Sequence, residues 1–429
     1  MNHPWLVGLR LLLVAVCFAL FFLASRRGWR PSLKATLAVA LGLRLAMLAL
    51  SQDIRPYDLV NDFHTAGANV LAHQDPILNT RPTGWNYTPL YAFVLAPAVW
   101  LEQHLGVPWL VVSRLAPIAF DLGVVVLVGL LAGRETGALR RFQYACLPLP
   151  VLVSAVHGQM EPLCLLFAVG AFLVLRRPWL AGALLGLAIS VKSWPALFLP
   201  ALLLGLRTNA DRLRAFTATA AVPALFLVTL PLTVGTPLDE LPRIVKTMLG
   251  YSPNVGTWGW PAVLLEFRPA DPHVWDDPFY LAVRRIGTLL TLAAVLAALW
   301  YWRRARCTDI ALATTSSFQA VTAAHGVQYL LWPTPFLVSA PTPRASWFHT
   351  AAGLYAAVGY LVMTDLTPDA YTTWGRWYPL ASLLVIATIP LTLPWNRRLP
   401  RRGLRPEGSH EIERRRCAGD PARGARTVS

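Results

Sequence analysis

The chain reads as an all-α polytopic membrane protein, and three observations carry that reading. Apolar stretches long enough to cross a bilayer recur from end to end. Charge is scarce: 55% of the 429 residues are hydrophobic and 14% are charged, where a soluble domain carries about 25% charged residues. Basic clusters interrupt the apolar runs as cytoplasmic loops do. At roughly 20 residues per span, with some shorter ones, the length predicts a bundle of about 11–13 transmembrane helices. The 35 prolines predict kinked or broken helices rather than a plain bundle.

The runs fall at 5–25, 33–50, 88–102, 108–132, 144–157, 162–175, 179–191, 194–206, 214–234, 280–302, 309–323, 327–341, 347–363 and 377–395. The first is longer than a signal-peptide core and lacks a small-residue cleavage site, so it reads as a retained span. The runs at 144–157, 179–191 and 194–206 are short for full crossings and suit paired helices that meet at a polar vertex. Basic clusters mark one side: Arg26, Arg27, Arg30 and Lys34; Arg140 and Arg141; Arg176 and Arg177; Arg207, Arg212 and Arg214; Arg303, Arg304 and Arg306. The positive-inside rule places them in the cytoplasm. That choice leaves one conflict, since 88–102 and 108–132 cannot both cross with Arg140 inside. Either 88–102 is re-entrant or superficial, or the 134–141 cluster breaks the rule.

The organisation is then a membrane domain over 1–395 and a basic disordered tail over 396–429. The tail supplies much of the net charge of +16. Arginine facing anionic lipid accounts for it, and no motif supports nucleic-acid binding. The five cysteines are scattered without CxxC spacing, so neither a zinc site nor a disulfide framework is indicated. No cofactor is expected, and no motif supports a divalent metal.

The connections without basic clusters share the other face. The first, 51–89, is a long acidic loop holding Asp53, Asp58, Asp62, Asp75, His64 and His73 and ending Trp85-Asn86-Tyr87-Thr88-Pro89. Ordering so long a polar segment costs entropy, and it cannot lie in lipid. Asp58 and Asp62 stand four apart, on one face of a helix. Their repulsion would raise one pKa and make a base; the plainer reading is a solvated acidic helix. Asp53 and Asp75 suit loop and turn positions. Trp85 and Tyr87 are either interfacial anchors or a wall for a sugar or an isoprenoid.

Further motifs head other runs on that face. His157, Gln159 and Glu161 lie in HGQMEP between apolar runs, where polar groups are expensive and tend to be functional. Lys192 follows AGALLGLAIS in an otherwise apolar stretch. It either snorkels or binds an anion, a phosphate above all. A second large outer loop, 235–279, holds Arg243, Lys246, the GYSPNVGTWGW run with Trp258 and Trp260, and Asp271, His273, Asp276 and Asp277. Its glycine–tryptophan alternation suits a carbohydrate surface or a simple anchor. His325-Gly326-Val327-Gln328-Tyr329 repeats the theme before Trp332-Pro333-Thr334-Pro335.

An acidic outer loop ending YTP, an HGQ junction, then AGALLGLAISVKSWPALFLP together resemble the GT-C superfamily of integral membrane glycosyltransferases. The nearest likeness is to glycosyltransferase family 87, the polyprenyl-phosphate-mannose-dependent mannosyltransferases. The matching stretches are Asp58 to Pro89, His157 to Glu161, and Ala181 to Pro200, with QYLLWPTPF (328–336) as a late proline–aromatic helix. The chain departs from the pattern at His73-Gln74-Asp75, where a glycine is expected, at Ile77 in place of tyrosine, and at Glu161 in place of Asp or Asn.

The resemblance implies a GT-C-like bundle in a cell membrane, the plasma membrane of a bacterium, with its first outer loop catalytic. It implies transfer of a hexosyl, mannosyl in kind, from a polyprenyl-phosphate-sugar donor to a lipid or glycan acceptor. Asp62 is then the first choice for the base and Asp58 the second. Lys192 would hold phosphate, with Arg243 and Lys246 helping. His157, Gln159, Glu161, Tyr87, Trp85, Trp258 and Gln328 would bind substrate. One base and one displacement imply inversion. A transporter or lipid-linked sugar flippase is the alternative, although such proteins show repeat symmetry and midplane charges, and neither is visible here.

Overall fold

The computed structural model describes residues 4–80, 85–249, 255–267, 277–363, 375 and 377–397. Residues 250–254 of the glycine–tryptophan run lie outside it, as do Asp271, His273, Asp276, most of 364–376 and the tail beyond Arg397. The described residues form helices and no strand, the architecture of an all-α polytopic membrane protein. Four helices are long and apolar enough to span a bilayer: α1 (Pro4–Arg27), α2 (Leu33–Leu50), Trp109–Cys146 and Pro278–Trp302. Shorter apolar helices fill the interior between them.

The acidic segment after α2 is helical rather than a loop. Asp58 caps a π-helical turn, Leu59–Phe63, that leads into α3 (His64–Leu71). Asp75 caps the short helix Pro76–Asn79, accepting from the Ile77 and Leu78 amides at 2.7 and 3.0 Å, with proline at the first helical position where its missing N–H costs nothing. The next helix, α4 (Leu90–Leu105), packs along α3.

Both ends of α4 return to the acidic segment's side. At its start Thr88 bonds the Ser190 carbonyl; near its end Glu102 meets His64 at 2.6 Å. α4 therefore begins and ends beside the acidic segment. The structure continues through α5 (Trp109–Cys146), 38 residues broken at Gly133 with φ +79°. That left-handed turn favours glycine. The chain doubles back so tightly that a Cβ on Gly137 would lie 2.4 Å from the Gly129 carbonyl oxygen.

Next come α6 (Glu161–Leu173), α7 (Pro178–Val191), α8 (Asn209–Val228), α9 (Pro278–Trp302), α10 (Cys307–Val321), α11 (Ala345–Ala357) and α12 (Trp377–Thr392). The α6–α7 hairpin positions the site. Its helices have 13 and 14 residues, about 20 Å at 1.5 Å per residue, against roughly 30 Å of hydrocarbon. Their unjoined polar ends, at Glu161 and Lys192, therefore need not reach the far surface, and both residues are buried.

Inside the bundle a closed ionic cluster ties α2 to both arms of α5. Arg44 reaches Asp121 Oδ2 through Nε (2.7 Å) and Nη2 (2.5 Å), and its Nη1 donates to the carbonyls of Ala40 (2.9 Å) and Ala145 (3.1 Å). The Tyr144 hydroxyl donates to Asp121 Oδ1 at 2.9 Å.

Candidate active site

The exit of α2 is clamped before it reaches Asp58. Arg10 of α1 donates to the Leu50 carbonyl at 2.7 Å and pairs with Asp53. Arg114 of α5 donates to the carbonyls of Ser51 (3.0 Å) and Ile54 (2.7 Å). The Trp109 indole donates to the Leu59 carbonyl at 2.9 Å. These donors satisfy backbone acceptors left free at the helix end, and they fix where the next turn projects Asp58.

Asp58 meets the HGQ junction. His157 closes a π-helical turn, Val153–His157, and Gly158 leaves it at φ +73°. A Cβ on Gly158 would press on Arg114 at 3.0 Å and Leu59 at 3.3 Å, so glycine serves both the turn and the fit. His157 Nε2 donates to Asp58 at 2.9 and 3.1 Å, and the Gln159 amide donates to the same carboxylate. The Tyr360 hydroxyl lies 2.9 Å from His157 Nδ1. With Nε2 carrying the proton toward the carboxylate, Nδ1 accepts from the phenol, and the two partners together fix the tautomer.

Burial raises the Asp58 pKa, but the contact with His157, the charge of Lys192 and the Leu59 amide outweigh it. The carboxyl is held below its ordinary 3.8. The repulsion from Asp62, expected to raise one of the pair, does not govern Asp58.

A second pair stands beside the first. Glu161 opens α6, where the helix N-terminus favours a carboxylate, and Lys192 follows the last residue of α7 in extended conformation. Because the two helices are antiparallel neighbours, these junctions share one end, and Lys192 Nζ lies 2.7 Å from Glu161 Oε1. The ammonium also sits over the rings of Tyr87 (5.1 Å) and Tyr329 (5.0 Å), a favourable cation–π geometry. Aromatic contacts continue from Tyr329 to His325 (5.2 Å), which stacks on Trp258 at 4.0 Å.

The site is incompletely bonded. Gln159 Oε1, Glu161 Oε2, the Tyr91 hydroxyl and both His325 nitrogens are buried with no hydrogen-bond partner. Native interiors leave few such groups, and a cluster of them calls for a polar occupant. Among the described residues no group of three or more His, Cys, Asp or Glu is placed to hold a metal ion.

The residues singled out in the sequence divide accordingly. Asp58, His157, Gln159, Glu161, Lys192 and Tyr87 converge. Asp62 is half-buried in the π-helical turn that Asp58 caps. Trp85 is fully buried beneath the site, against Phe63 and Tyr87, and its indole donates to the Thr88 carbonyl at 3.1 Å. Trp258 is likewise buried, donating to the Gln319 carbonyl at 2.8 Å. Gln328 folds back over Gly326. Arg243 and Lys246 are exposed on the helix Leu241–Leu249, with Arg243 near Glu240 at 3.5 Å. Sequence reading passed over Tyr91 and Tyr360. Each is a phenol near the end of an apolar run, and that position is the only signal either offered.

A buried carboxylate and an ion pair among unsatisfied polar groups, set at the ends of short membrane helices, define a membrane-associated glycosyltransferase once the sequence comparison is added. The chain belongs to glycosyltransferase family 87, whose sequence model it matches over residues 85–327, more than half its length. The match contains the HGQ junction, Glu161 and Lys192; Asp58 and Asp62 precede it. Comparison with curated proteins returned no match.

Proposed function

We propose that the protein transfers a hexosyl residue, mannosyl in kind, from a polyprenyl-phosphate-sugar to a lipid or glycan acceptor on the extracytoplasmic face, with inversion. The observation that carries this reading is one buried site that brings an ionised Asp58, oriented by His157 and Gln159, next to Lys192 and unpartnered acceptor atoms.

Asp58 is the base in this reading, in preference to Asp62. Its carboxylate is ionised at neutral pH, has three fixed donors and stays partly open, with 28% of its side chain exposed. The acceptor hydroxyl gives its proton to Asp58 as its oxygen bonds the anomeric carbon. The bond from that carbon to the phosphate oxygen breaks, and the lipid phosphate leaves with the electron pair. Lys192, held by Glu161, keeps further N–H donors for a phosphate oxygen. Glu161 Oε2 and Gln159 Oε1 accept from sugar hydroxyls. Charge developing in a site shielded from water makes these fixed groups effective.

The test uses purified protein in lipid, radiolabelled polyprenyl-phosphate-mannose and an acceptor extract. Asp58→Asn should lower transfer by about 10²–10⁴-fold, the usual range for a general base, while Asp62→Asn keeps most of it. The reverse pattern moves the base to Asp62. No transfer by wild type from mannosyl, glucosyl or arabinosyl donors would sink the proposal and send the question to a lipid-translocation assay.

A further inference from the structure

An apolar groove runs along the side of the bundle between α1, α11 and α12. Its volume is about 740 Å³, and its lining includes Phe22, Trp347, Leu354, Leu384, Ala387 and Leu391. It extends from Trp347 to Val358, roughly 17 Å at 1.5 Å per helical residue, close to one leaflet's hydrocarbon of about 15 Å. Leu391 also lines a second cavity, about 270 Å³, with Thr342, Arg344, Trp395 and Arg397. The two spaces therefore adjoin at Leu391.

The second cavity carries polar groups at this end of the groove. The Thr342 hydroxyl is buried without a partner. Arg397 is engaged, bonded to Asp309 (3.0 Å) and to the carbonyls of Ala340 and Pro341. Arg344 is exposed, and no carboxylate among the described residues pairs with it. Trp347 and Trp395 flank this end with 64% and 47% of their surfaces exposed, as tryptophans at a bilayer interface do.

We propose that groove and cavity together bind one anionic phospholipid, its phosphate on Arg344 and Thr342 and an acyl chain in the groove. Basic pockets between membrane helices on the arginine-rich side recognise such headgroups. The donor lipid does not fit this role. Arg344 precedes the first residue of α11, whereas Tyr360, which touches His157, lies beyond the last. Thirteen helical residues, about 20 Å, separate a phosphate on Arg344 from one at Lys192.

The experiment is native mass spectrometry of the full-length protein in detergent, with dioleoyl phosphatidylglycerol or dioleoyl phosphatidylcholine added. Wild type should retain one phosphatidylglycerol at least about fivefold better than phosphatidylcholine, as one interfacial arginine allows. Arg344→Ala should remove that preference and Arg344→Lys restore part of it. Ala387→Trp, which fills the groove from an exposed position, should release the lipid. Arg30→Ala, an exposed arginine elsewhere on the same side, should behave as wild type. Equal retention of both lipids, or an unchanged preference in Arg344→Ala, overturns the proposal in favour of bulk lipid. Displacement of the phosphatidylglycerol by polyprenyl phosphate overturns it in favour of the donor's own chain.

Discussion

Two ionic clusters lie buried in this bundle, and they differ in how completely they are bonded. In the cluster of Arg44, Asp121 and Tyr144 every polar side-chain atom has a partner. In the cluster of Asp58, His157, Gln159, Glu161 and Lys192, Gln159 Oε1 and Glu161 Oε2 have none. A fully bonded buried network rigidifies the interior it occupies, while a partly bonded one bears an unmet desolvation cost. The closed cluster thus reads as architecture tying α2 to α5, and the open one as a site whose remaining bonds belong to substrate.

The sharpest break in this contrast comes from removing one charge from each. Lys192→Met leaves Glu161 buried and uncompensated, at a cost of about 3–5 kcal/mol, and also removes the cation proposed to hold phosphate. Thermal unfolding in lipid and the transfer assay should both register a severe loss. Adding Glu161→Leu should recover much of the stability but none of the activity. A double variant that transfers sugar would show that the pair is structural after all. Asp121→Asn should cost a similar 3–5 kcal/mol, since Arg44 stays buried. Its kcat per folded molecule should stay within about twofold of wild type, because the cluster shares no partner with the site. A collapse of kcat there would erase the distinction between the two clusters.

A smaller effect tests the electrostatics of the open cluster. The folded pKa of Asp58 lies below the unfolded 3.8. Its stabilising contribution is therefore complete above the unfolded value and is lost as pH falls through the folded one. The acid limb of kcat/KM assigned to Asp58 should likewise lie below the ordinary carboxylate range. His157→Gln removes the largest influence holding the pKa down, so that limb should move up toward the ordinary carboxylate range. A limb that stays in place while overall activity drops would make His157 a substrate ligand rather than the partner that sets Asp58.

Much of this contrast was legible in the sequence, for a physical reason. Lys192, Glu161 and His157 interrupt apolar runs, where a polar side chain is too expensive to be incidental. Sequence reading ranks Asp62 above Asp58 on i, i+4 spacing that assumes an α-helix, whereas the backbone there is π-helical with Asp58 as its cap. The pairing of Lys192 with Glu161 was not legible either, since it depends on two short helices ending together. Arg44 and Asp121 went unremarked for a similar reason. They lie 77 residues apart, and only the antiparallel course of α2 and α5 brings them together. The helical folding of residues 59–79 was hidden by their polarity, which reads as a loop until the caps at Asp58 and Asp75 are seen.

The smallest predicted effect separates the buried cation from exposed ones. Arg243 and Lys246 lie in the 235–279 segment, where sequence alone makes them plausible phosphate ligands. The helix that carries them packs against Pro76–Asn79 and buries Ile244, leaving Arg243 with 60% of its side chain exposed. At such exposure an ion pair is worth about 0–1 kcal/mol and is screened by salt. Arg243→Ala and Lys246→Ala should therefore change kcat/KM by less than about twofold, and raising the ionic strength toward 1 M, where the Debye length shrinks to about 3 Å, should abolish even that. The loss caused by Lys192→Met should persist in the same buffer, because its partner is buried. A salt-insensitive rise in KM for Arg243→Ala would instead place that helix over the bound phosphate, and would extend the open cluster to the 235–279 segment.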